Sequence, residues 1–169
     1  MDNQPEVWLR GPVAGVPDAL MPAAHAFLQT MEDVTRAALD LSTDQLWQMP
    51  AGAASVGFHI LHLAGSTDRL LTYARGARLS LEQRAALTAE QAPERRPAAD
   101  LIADLQRAID GAIAQLRDTD PATLYEPRAV GRAALPSTVV GLLFHAAEHS
   151  QRHAGQLVTT ARIVRSGHQ

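Results

Sequence analysis

Ser137-Thr-Val-Val-Gly-Leu-Leu-Phe-His-Ala-Ala-Glu-His-Ser-Gln-Arg-His-Ala-Gly-Gln-Leu-Val-Thr-Thr-Ala-Arg-Ile-Val-Arg165 runs without a proline and decides the class of fold. Val140, Leu143, Ala147, Ala154, Leu157, Val158 and Ala161 recur at helical spacing, so the stretch reads as one long amphipathic helix. Ser137 is the expected N-cap, because its hydroxyl can accept a free amide of the first turn. A helix of this length must bury its apolar stripe against other helices.

Three partners are legible upstream. Residues 17–41 predict a helix that Pro17 opens and Pro22 bends or delays, with Leu20, Ala24, Leu28, Met31, Thr35, Ala38 and Leu39 near one face. Residues 55–75 predict a second, capped by Ser55 and stopped by Gly76. Residues 97–117 predict a third, burying Leu101, Ile102, Leu105, Ile109, Ile113 and Leu116. Ser80 with Gln83 resembles a capping box for a short helix over 81–89. Residues 1–16, with Pro5, Gly11, Pro12 and Gly15, read as an extended lead-in, Met49 to Gly52 as a loop, and 91–97 as a polar connection. Between 122 and 136, residues 124–128 could pair loosely with 132–135. The expected fold is an all-α four-helix bundle forming a single domain over 1–169.

Composition agrees and removes several functions. The 169 residues are 46% hydrophobic and 20% charged, globular proportions, and only 4% aromatic. The net charge of −3 offers no field for nucleic acid or an acidic membrane. Without lysine there is no Schiff-base or phosphate-loop lysine. Without cysteine there is no disulfide, thiolate ligand or thiol nucleophile. No run nears the ~20 apolar residues that span a bilayer, and residues 1–17 have no signal-peptide core. A soluble cytoplasmic protein is expected.

The chemistry lies in the histidines, five of the seven being on two helices. His59 and His62 lie on the second; His145, His149 and His153 form a stripe covering roughly 80° of the last. Histidines four apart on a helix can reach one metal. A third ligand must come from elsewhere, and His62 is the obvious supplier. His62, Ser66, Arg69 and Tyr73 fall within roughly 60° on the second helix, so two polar stripes can face each other across a cleft. A lone helical histidine is more often a surface or hydrogen-bonded residue. His25 reads that way, at a helix edge, and His168 as disordered tail.

Ser55-Val-Gly-Phe-His-Ile-Leu-His-Leu-Ala-Gly-Ser-Thr-Asp-Arg69, paired with His149-Ser-Gln-Arg-His-Ala-Gly-Gln156, resembles the DinB/YfiT-like superfamily over nearly the whole chain. The resemblance implies a four-helix bundle with long crossover connections and one divalent metal ion on three histidines. It assigns His62, before Leu63-Ala64, and the pair His149 and His153, before Ala154-Gly155-Gln156. Gly155 would let a neighbouring helix approach closely, with Gln156 as a secondary contact. His59 and His145 exceed the pattern and are second-shell groups, substrate contacts or competing ligands; the rival triad is His59 with His145 and His149.

Three imidazoles leave coordination positions open, the arrangement of a catalytic site. The expected function is a metal-dependent enzyme acting on a small molecule, by hydrolysis or by transfer of an external low-molecular-weight thiol. Imidazole suits zinc, nickel, iron and copper, and manganese is a further candidate. Arg69 and Tyr73 could orient an anionic substrate, although a surface salt bridge and a packing residue are the plainer readings. Glu148 could act as a base, although it points toward solvent. The competing class is a non-catalytic bundle that holds metal for stability or holds none. Related bundles pair through helix faces, so a homodimer is expected.

Overall fold

The computed structural model describes residues 4–90, 92 and 95–167, which leaves His168 outside. Six helices follow in order: α1 (Met21–Ala38), α2 (Thr43–Trp47), α3 (Val56–Ala74), α4 (Leu81–Ala89), α5 (Ala98–Asp118) and α6 (Val139–Ser166). Two short strands, β1 (Pro127–Val130) and β2 (Leu135–Thr138), form an antiparallel hairpin between α5 and α6.

The four long helices close a ring. α6 packs on α1 and α3, and α5 packs on the same two. α1 therefore stands opposite α3, and α5 opposite α6. The connections from α1 to α3 and from α5 to α6 each cross the bundle, the first carrying α2 and the second the hairpin, whereas α4 lies between the neighbours α3 and α5. Phe27, Leu63, Leu101, Leu105, Ile109, Leu116, Leu143 and Leu157 fill the centre with almost no exposed surface. None of the described helices is long and apolar enough to cross a membrane.

Local chemistry sets the boundaries. Ser55 Oγ accepts from Phe58 N at 3.1 Å and opens α3. Ser80 and Gln83 form a reciprocal capping box on α4. Pro22 is the second residue of α1, where its missing N–H costs nothing, and a single 3-10 turn (Asp18–Leu20) precedes it.

Three expectations need correction, and one helix was not expected. The lead-in is not simply extended: Val7–Leu9 is a 3-10 turn, Val7 is buried, and Arg10 pairs with Glu32 at 2.5 Å, which ties the segment to α1. α2 was not anticipated, although Ser42 and Gln45 make a second capping box there. The hairpin pairs Pro127 with Thr138 and Val130 with Leu135, about three residues beyond the expected register. Ser137 is paired with Arg128 in that hairpin, so Thr138 caps α6 instead, accepting from Gly141 N at 3.1 Å.

α2 seats α3. Trp47 lies over Gly57, where a Cβ would meet three ring carbons at 2.8–2.9 Å. The ring is also held by a hydrogen bond from Nε1 to Arg96 O at 3.0 Å, so it cannot easily yield. Gly57→Ala is expected to cost about 1–3 kcal/mol through overpacking, read by urea unfolding. A variant as stable as the parent would show that the indole gives way freely.

Candidate metal centre

α3 and α6 are neighbours, and their polar stripes meet. His62, His149 and His153 each offer a ring nitrogen, and these atoms all lie within 4.8 Å of one another. His62 Nε2 is 3.0 Å from His149 Nε2. Two ligand nitrogens on a tetrahedral ion, each at about 2.0–2.1 Å from it, would stand roughly 3.3 Å apart. The pair therefore needs little movement to share a cation. All three residues are half-buried.

The protonation states suit a cation. Burial depresses the pKa of His149 to about 4, helped by His153 and His62 nearby. Burial also lowers His153, again reinforced by His62. Neutral imidazole is the form that ligates. His149 Nδ1 is buried with no hydrogen-bond partner. That atom lies on the ring edge away from Nε2, so it leaves Nε2 as the nitrogen that faces His62. The donor set, three imidazoles whose ring nitrogens lie within 4.8 Å of one another, fits a divalent metal.

Two of the rings are held from outside. His59 is buried and its Nδ1 lies 3.0 Å from His153 Nδ1. Burial first, and His153 and His62 second, bring the His59 pKa to about 4, so one neutral ring donates to the other. His62 Nδ1 donates to Glu90 Oε2 at 2.8 Å. Glu90 is itself buried and receives Arg69 Nη1 on Oε1 at 2.5 Å and Nη2 on Oε2 at 3.3 Å. Burial opposes its charge, but the hydrogen bonds from His62 and Arg69 outweigh that and hold its pKa below the usual carboxylate range. Phe58 stacks nearly parallel to the His62 ring, centroids 5.6 Å apart.

The remaining candidates fall away from this centre. His145 is exposed and sits 3.4 Å from Glu148, so His59, His145 and His149 do not assemble as a triad; the His62, His149 and His153 group is the one brought together among the described residues. Glu148 is committed to Arg152 at 2.6 Å, and that bond above all holds its carboxylate low, which makes it a weaker base. Arg69 is buried and its guanidinium is paired with Glu90. Tyr73 is a half-buried packing residue. His25 meets the Gly11 carbonyl at 3.0 Å. An added Cβ at Gly155 would find nothing within 4 Å among the described residues, so the glycine does not serve a close helix approach; it borders an open cleft of about 730 Å³ with Phe58, His59, His153, Gln156 and Ile163.

Glu90 is the residue that sequence reasoning missed. It ends an otherwise exposed helix, in a polar stretch with no periodicity to flag it. The signal within reach was Gly65, a glycine inside α3 one turn before Arg69.

Comparison with known proteins agrees with the geometry. YfiT from Bacillus subtilis, described as a probable metal-dependent hydrolase with an unusual four-helix bundle topology, superposes with a TM-score of 0.66 over 93% of this chain and 93% of its own, at 17% identity. That likeness establishes the fold. No functionally curated protein matches the sequence. The family profile described as DinB superfamily matches residues 26–157, which takes in α3 and α5 whole, most of α1 and α6 and the three converging histidines, and the chain belongs to the DinB superfamily.

Proposed function

We propose that this protein is a metal-dependent enzyme that hydrolyses a small molecule, with His62, His149 and His153 as the ligands of one divalent ion. The observation that carries the reading is the meeting of three ring nitrogens from α3 and α6 within 4.8 Å. The description of YfiT as a probable metal-dependent hydrolase supports it. A bound cation would supply Lewis-acid chemistry, making a water acidic near neutral pH or polarising a carbonyl. Three protein ligands leave positions open for that purpose.

The chain's own residues do the rest. Glu90 and His59 hold the rings of His62 and His153. The cleft beside His153 offers Phe58 and Ile163 to an apolar substrate body and Gln156 to a polar group. Zinc and nickel are the ions we expect first, since imidazole suits both. The same centre would also serve an external thiol, the chain having no cysteine of its own.

Metal-loaded protein assayed against panels of esters and amides, and of thiols with electrophiles, tests this. The expected result is hydrolysis that disappears with His149→Ala. Turnover confined to the thiol panel would replace hydrolysis by transfer. Silence on both panels at full metal occupancy would make the bundle a non-catalytic metal-binding protein.

A further inference from the structure

We propose that Glu90 is a positioning residue for the metal-ligating ring of His62, and that Arg69 and Gly65 of α3 hold its carboxylate in place. The proposal rests on the metal reading of the three histidines and assigns a role to residues that bind no metal themselves.

The placement of Glu90 needs explaining. No residue of α4 is buried, and Leu81 and Leu87 are exposed, yet the helix ends by driving a carboxylate under the surface to 5% exposure. Burying a charge is unfavourable unless it is paired and hydrogen-bonded. Arg69 supplies the pairing through both of its terminal nitrogens. That alone would satisfy an ordinary buried ion pair. The second carboxylate oxygen nevertheless also takes His62 Nδ1 at 2.8 Å.

The consequence is a fixed tautomer. An ionised carboxylate only accepts, so His62 must carry its proton on Nδ1. Its lone pair is then on Nε2, the nitrogen that faces His149 Nε2 at 3.0 Å. Glu90 sits at the opposite edge of the ring from Nε2, which makes it the partner of a ligand and not a fourth ligand. Carboxylate partners of this kind orient a metal-bound imidazole and raise its basicity.

Gly65 completes the device. A Cβ at 65 would lie 2.7 Å from Arg69 Nη1 and closer still to Glu90 Oε1. Glycine is unfavourable inside a helix, and here the missing side chain is what admits the carboxylate. α4 is further tied to α3 by Gln83 Nε2, which donates to Asp68 Oδ2 at 2.7 Å and Thr72 Oγ1 at 2.8 Å. The connection between α3 and α5 thus reaches the metal centre through one side chain.

Glu90→Gln tests the role. Arg69 requires an oxygen, so the new amide would turn its NH2 toward His62 Nδ1 and favour the tautomer protonated on Nε2. Two measurements are read together on full-length protein. Imidazole 15N NMR of metal-free protein should find His62 protonated on Nδ1 in the parent and shifted toward Nε2 in Glu90→Gln. Zinc affinity by chelator competition should fall about 10–100-fold in the variant, with circular dichroism unchanged. Gly65→Ala, which displaces the carboxylate without deleting it, should lower affinity in the same direction.

A parent in which His62 carries its proton on Nε2 overturns the proposal, whatever zinc does. So does a Glu90→Gln protein that melts earlier but keeps the parental tautomer and zinc affinity, because that is the signature of a merely structural ion pair. A parent that binds no zinc while His62 is protonated on Nδ1 and shifts in the variant overturns the metal reading, but leaves the control of the ring by Glu90 standing.

Discussion

His149→Ala is expected to weaken zinc or nickel binding by more than the roughly 100-fold that loss of an outer partner costs. His149 supplies one of only three ring nitrogens in the cluster, and a methyl group offers no replacement. His62→Ala and His153→Ala should behave alike. His145→Ala should leave affinity unchanged, because that ring is exposed and turned toward Glu148. Competition against a chromophoric chelator checks all four variants in one format. Equal losses for His145→Ala and His149→Ala would revive the rival triad, and parental affinity in His62→Ala would remove α3 from the site.

The second large effect concerns the bundle itself. Phe27 is fully buried on α1 and is among the largest side chains in the core. Phe27→Ala removes a ring and leaves a cavity, so we expect a loss of about 3–5 kcal/mol in denaturant unfolding. At roughly 2–4 °C per kcal/mol for a chain of this size, melting should fall on the order of 10 °C. Phe144 is the internal control: it is 64% exposed on α6, and its alanine variant should stay within about 0.5 kcal/mol of the parent. Comparable losses at both positions would mean that α1 does not face the interior as described.

These two expectations rest on features of unequal visibility in the sequence. Long helices announce themselves by periodicity and by caps, so Ser55 and the Ser80–Gln83 box were readable without coordinates. α2 was not, because five residues make little more than one turn and leave no periodicity to detect. The hairpin register was missed for a different reason. Gly131 and Ala134, both at positive φ, place the reversal at 131–134, and two four-residue strands with no buried position carry too little apolar signal to reveal it.

The site divides in the same way. Spacing on α6 offered three histidines within one 80° stripe and could not say which two face α3, since each four-residue step turns the ring by only about 40°. Tertiary packing chooses: α3 lies on the side of His149 and His153, and His145 is left in solvent. Arg69 was visible but misplaced, because a surface salt bridge and a buried one read identically in sequence. Glu90 was invisible for a physical reason. Its burial depends on the α3–α5 connection folding back onto α3, a contact between residues 21 and 28 positions apart that helical periodicity does not encode.

Anomalous diffraction at the zinc or nickel edge, on crystals of protein purified without a histidine tag and loaded with one equivalent of that ion, tests the central claim most directly. The account predicts one strong peak about 2.0–2.3 Å from a ring nitrogen of each of His62, His149 and His153. A peak resting on His59 with His145, or none between α3 and α6 in protein that demonstrably carries the ion, would contradict it.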